Sequence, residues 1–393
     1  MSVFERRSKR PSLAGKCLLL SLVLASSAWS ADRAKNIILF LGDAGGLSTL
    51  HAASIHTYGE PGKLFVQRMP NLALSETSSA SDWVTDSAAG MTAIVTGTKT
   101  HNGVISQSPG AVRGKADGAP LKTILEYAEE RGLSTGVVSN SSMADATPAA
   151  CYAHANDRRK QGEIFAQVLN PQFGDGVDLI LGPGRKGITD ATTKLGFDLT
   201  AELPKKGYYF GDSLSSIPAD CKRAVVLADD TDFDVQAATE RAISILSRNK
   251  KGYFLMVESD LHTDKVQRGL ERAAKFDRLI QWAAENAGRD TLILFTADHS
   301  FDLRISGRAN RGDALLTMIE GKLAPAKSVT VYGHHSAEQV LVAAQGPGAQ
   351  KVRGFVSNTD LFHIMMSAFG WKPAQSNLES RDKQPVVAAG SGH

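Results

Sequence analysis

Short apolar runs and helical repeats alternate along most of this chain. Residues 36–41, 135–139, 178–181, 224–228, 253–258 and 291–296 are apolar or β-branched and are bounded by Gly, Asp or Ser. That is the pattern of buried strands. Between them, 121–131, 161–169, 235–248 and 266–286 carry apolar residues at helical spacing. The order predicts an α/β fold, with a largely parallel sheet covered by helices on both faces. In such sheets functional groups gather beyond the carboxyl ends of the strands. Asp43, Glu258, Asp298 and His299 all fall there. Residues 184–219 and 301–328 are less regular and read as excursions shaping the mouth of a site within one catalytic domain, 31–374. There is no repeat of period 20–50 and no coiled-coil heptad. The tail, 375–393, is polar and Gly/Ser-containing, and reads as a loose segment.

Composition adds an address. With 393 residues and 42% apolar content the chain can bury a substantial core. Residues 1–30 read as a secretory signal: Arg6, Arg7, Lys9, Arg10 and Lys16 precede a nine-residue apolar run from Cys17 to Ala25, and Ala28-Trp29-Ser30 offers small residues for cleavage. Nine residues cannot span a bilayer, so no stable membrane anchor is expected. This segment holds five basic and one acidic side chain, so its removal shifts the formal charge from +3 to −1. The basic balance belongs to the precursor, and nothing points to nucleic acid. A periplasmic or secreted location follows, by ordinary secretion or, given Arg6-Arg7, by a twin-arginine route.

Cys17 lies inside the signal, leaving Cys151 and Cys221. In an oxidising compartment they could form one bridge, which would close a loop of about 70 residues and contribute roughly 4 kcal/mol. Two free thiols are the alternative, because spacing does not establish proximity.

The most informative stretch is Thr85-Asp86-Ser87-Ala88-Ala89-Gly90. It sets a hydroxyl between a turn-forming Asp and a small-residue helical run. An anion at Ser87 would face free backbone N–H groups and the positive end of a helix dipole. By itself the stretch also fits an ordinary helix cap. Upstream, 37–43 is an apolar run ending in Asp43; downstream, a second such run ends in Asp298-His299. Asp, Glu and His hold divalent ions, with mixed nitrogen and oxygen sites suiting zinc and all-oxygen sites suiting magnesium. Asp145-Ala146-Thr147-Pro148 adds a neutral oxygen ligand in Thr147, and Arg158 offers a fork for two phosphate oxygens. Phosphate-ester hydrolysis needs a deprotonated nucleophile, charge neutralisation and help for the leaving alkoxide, which two ions about 4 Å apart can supply.

Together these motifs resemble the alkaline phosphatase family, over a span from Lys35 to Trp371. The resemblance implies a three-layer sandwich and an active site with two zinc ions and one magnesium. It implies that Ser87 is the nucleophile, transiently phosphorylated, and that Arg158 clamps the phosphoryl group. Asp43, Asp298 and His299 would hold one zinc, with Asp43 also touching magnesium. Thr147 and Glu258 would complete the magnesium site, and Asp145 would support its water shell. His335 resembles the late ligand to the other zinc, with His334 as the fallback. A homodimer is common in the family, although no interface is legible.

One departure stands out. After the magnesium Glu, the family pattern places an Asp five positions on and a His four beyond it. Here those positions hold Thr263 and Gln267. His262 and Asp264 could rebuild the pair in an extended loop; alternatively Asp264 caps the helix that follows. Asp260 is a further substitute. The expected activity is hydrolysis of phosphate monoesters through a phosphoserine. The rivals are phosphodiester, sulfate-ester or phosphonate hydrolysis on the same scaffold, and a noncatalytic phosphate- or metal-binding protein.

Overall fold

Apolar runs buried on both faces become the centre of a ten-stranded sheet. The computed structural model describes residues 33–229, 233–307 and 309–372. The segment 1–30 and the tail 375–393 lie outside the described residues. The strands are β1 (Asn36–Asp43), β2 (Asn71–Glu76), β3 (Ser134–Val138), β4 (Leu179–Pro183), β5 (Tyr209–Gly211), β6 (Ala224–Ala228), β7 (Tyr253–Asp260), β8 (Thr291–Thr296), β9 (Ser300–Ile305), β10 (Leu316–Ile319), β11 (Lys322–Pro325), β12 (Val329–Ser336), β13 (Val340–Gln345) and β14 (Gly354–Ser357). The large sheet runs β14-β2-β13-β8-β1-β7-β3-β4-β6-β5. Its pairings are parallel except that β13 runs against both β8 and β2.

Every residue of β1 is buried, which is why its sequence reads as a continuous apolar run. Side chains alternate between two apolar layers. Ile37, Leu39, Phe254 and Met256 join one with Ile124, Ala149 and Met365; Ile38, Phe40, Leu255 and Phe295 join the other with Leu50, Ala238 and Leu270. Helices therefore cover both faces, giving three layers, and each fully buried aliphatic side chain contributes about 1.5–3 kcal/mol. The α/β expectation holds.

The excursions fare differently. Residues 184–219 contain helices Arg185–Thr193 and Leu199–Lys205 and then β5, which closes the edge of the sheet remote from β1. This segment is more regular than its composition suggested, and its strand pairs with β6. The later excursion begins within β9, which pairs with β12, so Phe301 lies opposite His335. Cys151 and Cys221 are both free, Cys151 being buried.

Candidate active site

Parallel register brings the acidic strand ends together. Leu41 of β1 sits beside Glu258 of β7 and Thr296 of β8, and Asp43 pairs with Asp260. Asp298 follows two residues after Thr296, as Asp43 follows Leu41. Ala44 then turns the chain in the left-handed region, at φ 62°, a conformation that costs an L-residue about 1 kcal/mol. Its N–H donates to Oδ1 of Asp298 at 3.3 Å, tying the two strand ends.

The helix Ser87–Thr96 enters this corner with every residue buried. Asp86 caps it, accepting from the N–H of Ala89 at 3.1 Å, which leaves other first-turn N–H groups without intrahelical partners. Small residues permit the close approach: a Cβ on Gly90 would lie 2.8 Å from the carbonyl oxygen of Asp298. Ser87 is thereby held with its Oγ 3.3 Å from Nε2 of His299.

Arg158 bridges two caps. Its Nη1 donates to Oδ2 of Asp86 at 3.2 Å and its Nη2 to Oδ1 of Asp145 at 2.9 Å. Burial disfavours its charge, but the two carboxylates outweigh that and raise its pKa. Asp145 also caps the helix Ala146–Tyr152, placing Thr147 in its first turn. There Thr147 and Ser139 both hydrogen-bond Glu258. Burial pushes Glu258 up to about 8, with Asp145 and Asp298 adding repulsion and the two hydroxyls opposing it.

Three imidazoles meet nearby. His299 and His335 stack with centroids 3.7 Å apart, and His262 lies 5.8 Å from the first and 5.6 Å from the second. Each Nδ1 faces an oxygen: the Ser300 carbonyl at 3.2 Å for His299, the Thr85 carbonyl at 3.1 Å for His335, and Asp260 at 2.8 Å for His262. A proton on Nδ1 in each leaves Nε2 with the lone pair. His334, its neighbour's fallback, is exposed, in the stretch of β12 where the register with β9 is interrupted.

The donor atoms fit divalent cations. Ligand atoms of Asp43, Asp298 and His299 lie within 4.8 Å of one another, as do those of His262, His299 and His335. Oδ1 of Asp43 and Oδ2 of Asp298 are buried without a hydrogen-bond partner. Burial, then repulsion from Asp298 and Glu258, raises the pKa of Asp43 well above the carboxylate range; burial also raises that of Asp298. Burial, reinforced by His335 and His262, pushes His299 well below the usual imidazole value. Such a knot of lone pairs is compensated by positive charge.

Asp264 does not join it. Asp264, expected to share a zinc with His262 and His335, is exposed and lines a cleft of ≈ 280 Å³ together with Asp43, Asp260 and His262, and it belongs to neither converging set. Nor does it cap the helix Val266–Asn286, which has no side-chain cap. The nearer Asp260 occupies the imidazole instead.

The alkaline phosphatase family model matches residues 34–210 and 217–333. The chain belongs to the alkaline phosphatase family. It is 30% identical to the human tissue-nonspecific alkaline phosphatase over 437 residues, covering 94% of this chain and 82% of that one. Among solved structures it resembles the alkaline phosphatase of the Antarctic bacterium TAB5, at 27% identity and a TM-score of 0.72, over 87% of this chain and 100% of that one. A variant of the same enzyme with Mg bound in its M3 site matches at 28% identity and a TM-score of 0.71, over 87% and 99%. The chain is thus an alkaline-phosphatase-type hydrolase acting on phosphate monoesters, and among its described residues no helix is long and apolar enough to cross a membrane.

Sequence reasoning missed several partners of this alkaline phosphatase site. Asp86 read as a turn residue and proves to anchor Arg158; its position beside Ser87 was the available signal. Ser139 on Glu258 and Arg272 on Asp260 had none, since both contacts are long-range.

Proposed function

We propose that Ser87 is the nucleophile of a metal-dependent phosphomonoesterase and carries a transient phosphoserine. The observation that carries this reading is the placement of Ser87 Oγ at a helix start, 3.3 Å from His299 and beside the converging Asp43, Asp298 and His299. Asp43, Asp298 and His299 would hold one zinc, His262 and His335 a second, and Asp43, Thr147 and Glu258 a magnesium, with Asp145 behind. When bound, these ions neutralise phosphoryl charge and lower the pKa of the serine hydroxyl and of water.

The remaining steps belong to the chain. First-turn N–H groups and the helix dipole favour the phosphoryl anion at Ser87. Arg158, fixed by Asp86 and Asp145, presents a planar fork to two non-bridging oxygens and favours a dianionic monoester over a diester. A bond forms from Ser87 Oγ to phosphorus as the bond to the ester oxygen breaks; the released alkoxide takes up a proton. Water then attacks phosphorus, phosphate departs and Ser87 regains its proton.

The test is steady turnover of aryl phosphate monoesters against the matched diesters, with labelled phosphate trapped on the protein at acidic pH. Monoester preference and label on Ser87 are expected. Faster diester turnover, or label elsewhere, overturns the assignment.

A further inference from the structure

The broken spacing after Glu258 leaves one metal position short of its usual carboxylate, and the fold fills the gap from an unexpected direction. Oδ1 of Asp260 accepts from Nδ1 of His262 at 2.8 Å and from the His262 backbone N–H at 3.1 Å. Its other oxygen, Oδ2, accepts from Nη1 of Arg272 at 2.6 Å. The N–H of Asp260 is held by Oδ1 of Asn140 at 2.9 Å. Asp260 is therefore fixed at both carboxylate oxygens and at its backbone. Arg272 reaches it from the first half of the long helix Val266–Asn286 with only 14% of its side chain exposed. The ring of His262 is further confined by Phe301, edge-on at 5.1 Å.

This arrangement fixes a tautomer. An Nδ1–H engaged by a carboxylate leaves the Nε2 lone pair free and makes the imidazole a better donor, the role outer carboxylates play behind metal-bound histidines. Resting on the phosphatase reading above, we propose that His262 alone supplies the local ligand to the second metal, through Nε2. Asp260 and Arg272 act as positioning residues behind it. Asp264 lies outside this set. The carboxylate has moved from the metal to the far side of an imidazole, so the site is richer in nitrogen than the family pattern. A nitrogen-rich site favours zinc or cobalt over magnesium.

The experiment is a titration of chelator-stripped full-length protein with Co²⁺, followed by visible absorption, alongside zinc competition against a chromogenic chelator. Asp260→Asn should weaken one of the bound ions by about 10- to 100-fold and alter the cobalt spectrum. Arg272→Gln should shift both readouts in the same direction by less, with Arg272→Lys restoring part of the loss. Asp264→Asn should bind metal as the wild type does. Wild-type affinity and spectrum in both Asp260→Asn and Arg272→Gln overturn the proposal, as does selective metal loss in Asp264→Asn. Circular dichroism and melting check folding, and if Asp260→Asn does not fold, the Arg272 pair carries the same decision. Wild-type uptake of cobalt without monoesterase activity would overturn the phosphatase reading and leave the ligand assignment standing.

Discussion

Ser87 Oγ stands 3.3 Å from Nε2 of His299, although 212 residues separate them in the chain. The contact joins a helix start to a strand end, at the imidazole whose Nε2 also lies 3.3 Å from Oδ1 of Asp43. Ser87→Ala should leave folding and metal content nearly intact while lowering monoesterase turnover by about three orders of magnitude or more. Elemental analysis and a turnover assay check this together. A wild-type rate in the variant removes Ser87 from the chemistry.

Asp86 does two things at once, and two substitutions separate them. Asn still caps a helix, so Asp86→Asn should melt like the wild type while losing the acceptor that steadies Arg158. Inhibition by inorganic phosphate should weaken several-fold. Asp86→Ala should in addition lose about 1 kcal/mol of stability. Equal phosphate inhibition in wild type and Asp86→Asn shows that Asp86 does not orient the guanidinium.

Arg158→Ala removes the fork itself. Loss of a charge-assisted bidentate contact amounts to roughly 1.5–3 kcal/mol, or about 10- to 100-fold in kcat/KM. Diester turnover should fall less than monoester turnover, because a diester offers less negative charge to the clamp. A uniform loss on both substrates argues for a structural role only.

Metal uptake should release protons. Glu258 is pushed up to about 8, chiefly by burial, and Asp43 is raised in the same direction by burial and repulsion from Asp298 and Glu258, so a cation binding at Glu258 displaces a proton near neutral pH. Calorimetric titration of zinc in buffers of different ionisation enthalpy should show net proton release, and affinity should fall as pH drops from 8 to 6. Buffer-independent heats with pH-independent affinity are the contrary result.

Glu129 offers a pH dependence away from the site. Burial, with repulsion from Glu126, raises its pKa from 4.5 to about 9. The folded chain keeps that proton where the unfolded chain has lost it, so unfolding releases a proton between about pH 4.5 and 9 and this group's contribution falls as pH rises. Glu129→Gln keeps an uncharged acceptor for the N–H of Gly176, now held at 3.1 Å. The variant should gain melting temperature over the wild type progressively from pH 5 to pH 9. A constant difference across that range would refute the assignment.

The sequence by itself determined the layer architecture and the order of the chemical parts. Continuous apolar runs such as 36–41 and 253–258 have no polar face to offer solvent, so they had to become strands covered on both sides. Ser87, Asp43, Asp298 and His299 were legible because each ends or begins such an element, where a polar group can face a ligand. Only the tertiary structure decided which groups meet. Parallel register across β8, β1 and β7 set Asp43 beside Asp260 and brought Glu258 level with Leu41; spacing along the chain carries no such distance. The regular helices in 184–219 stayed hidden because they are short, at nine and seven residues, and carry few apolar positions to mark a repeat. Asp264 was the preferred partner for His262 in sequence and Asp260 the further substitute, although both lie two residues away, one on either side. Arg272, eight residues beyond Asp264 on a packed helix, donates to Asp260, a contact the sequence could not announce, and a carboxylate paired from behind keeps its other oxygen in one place.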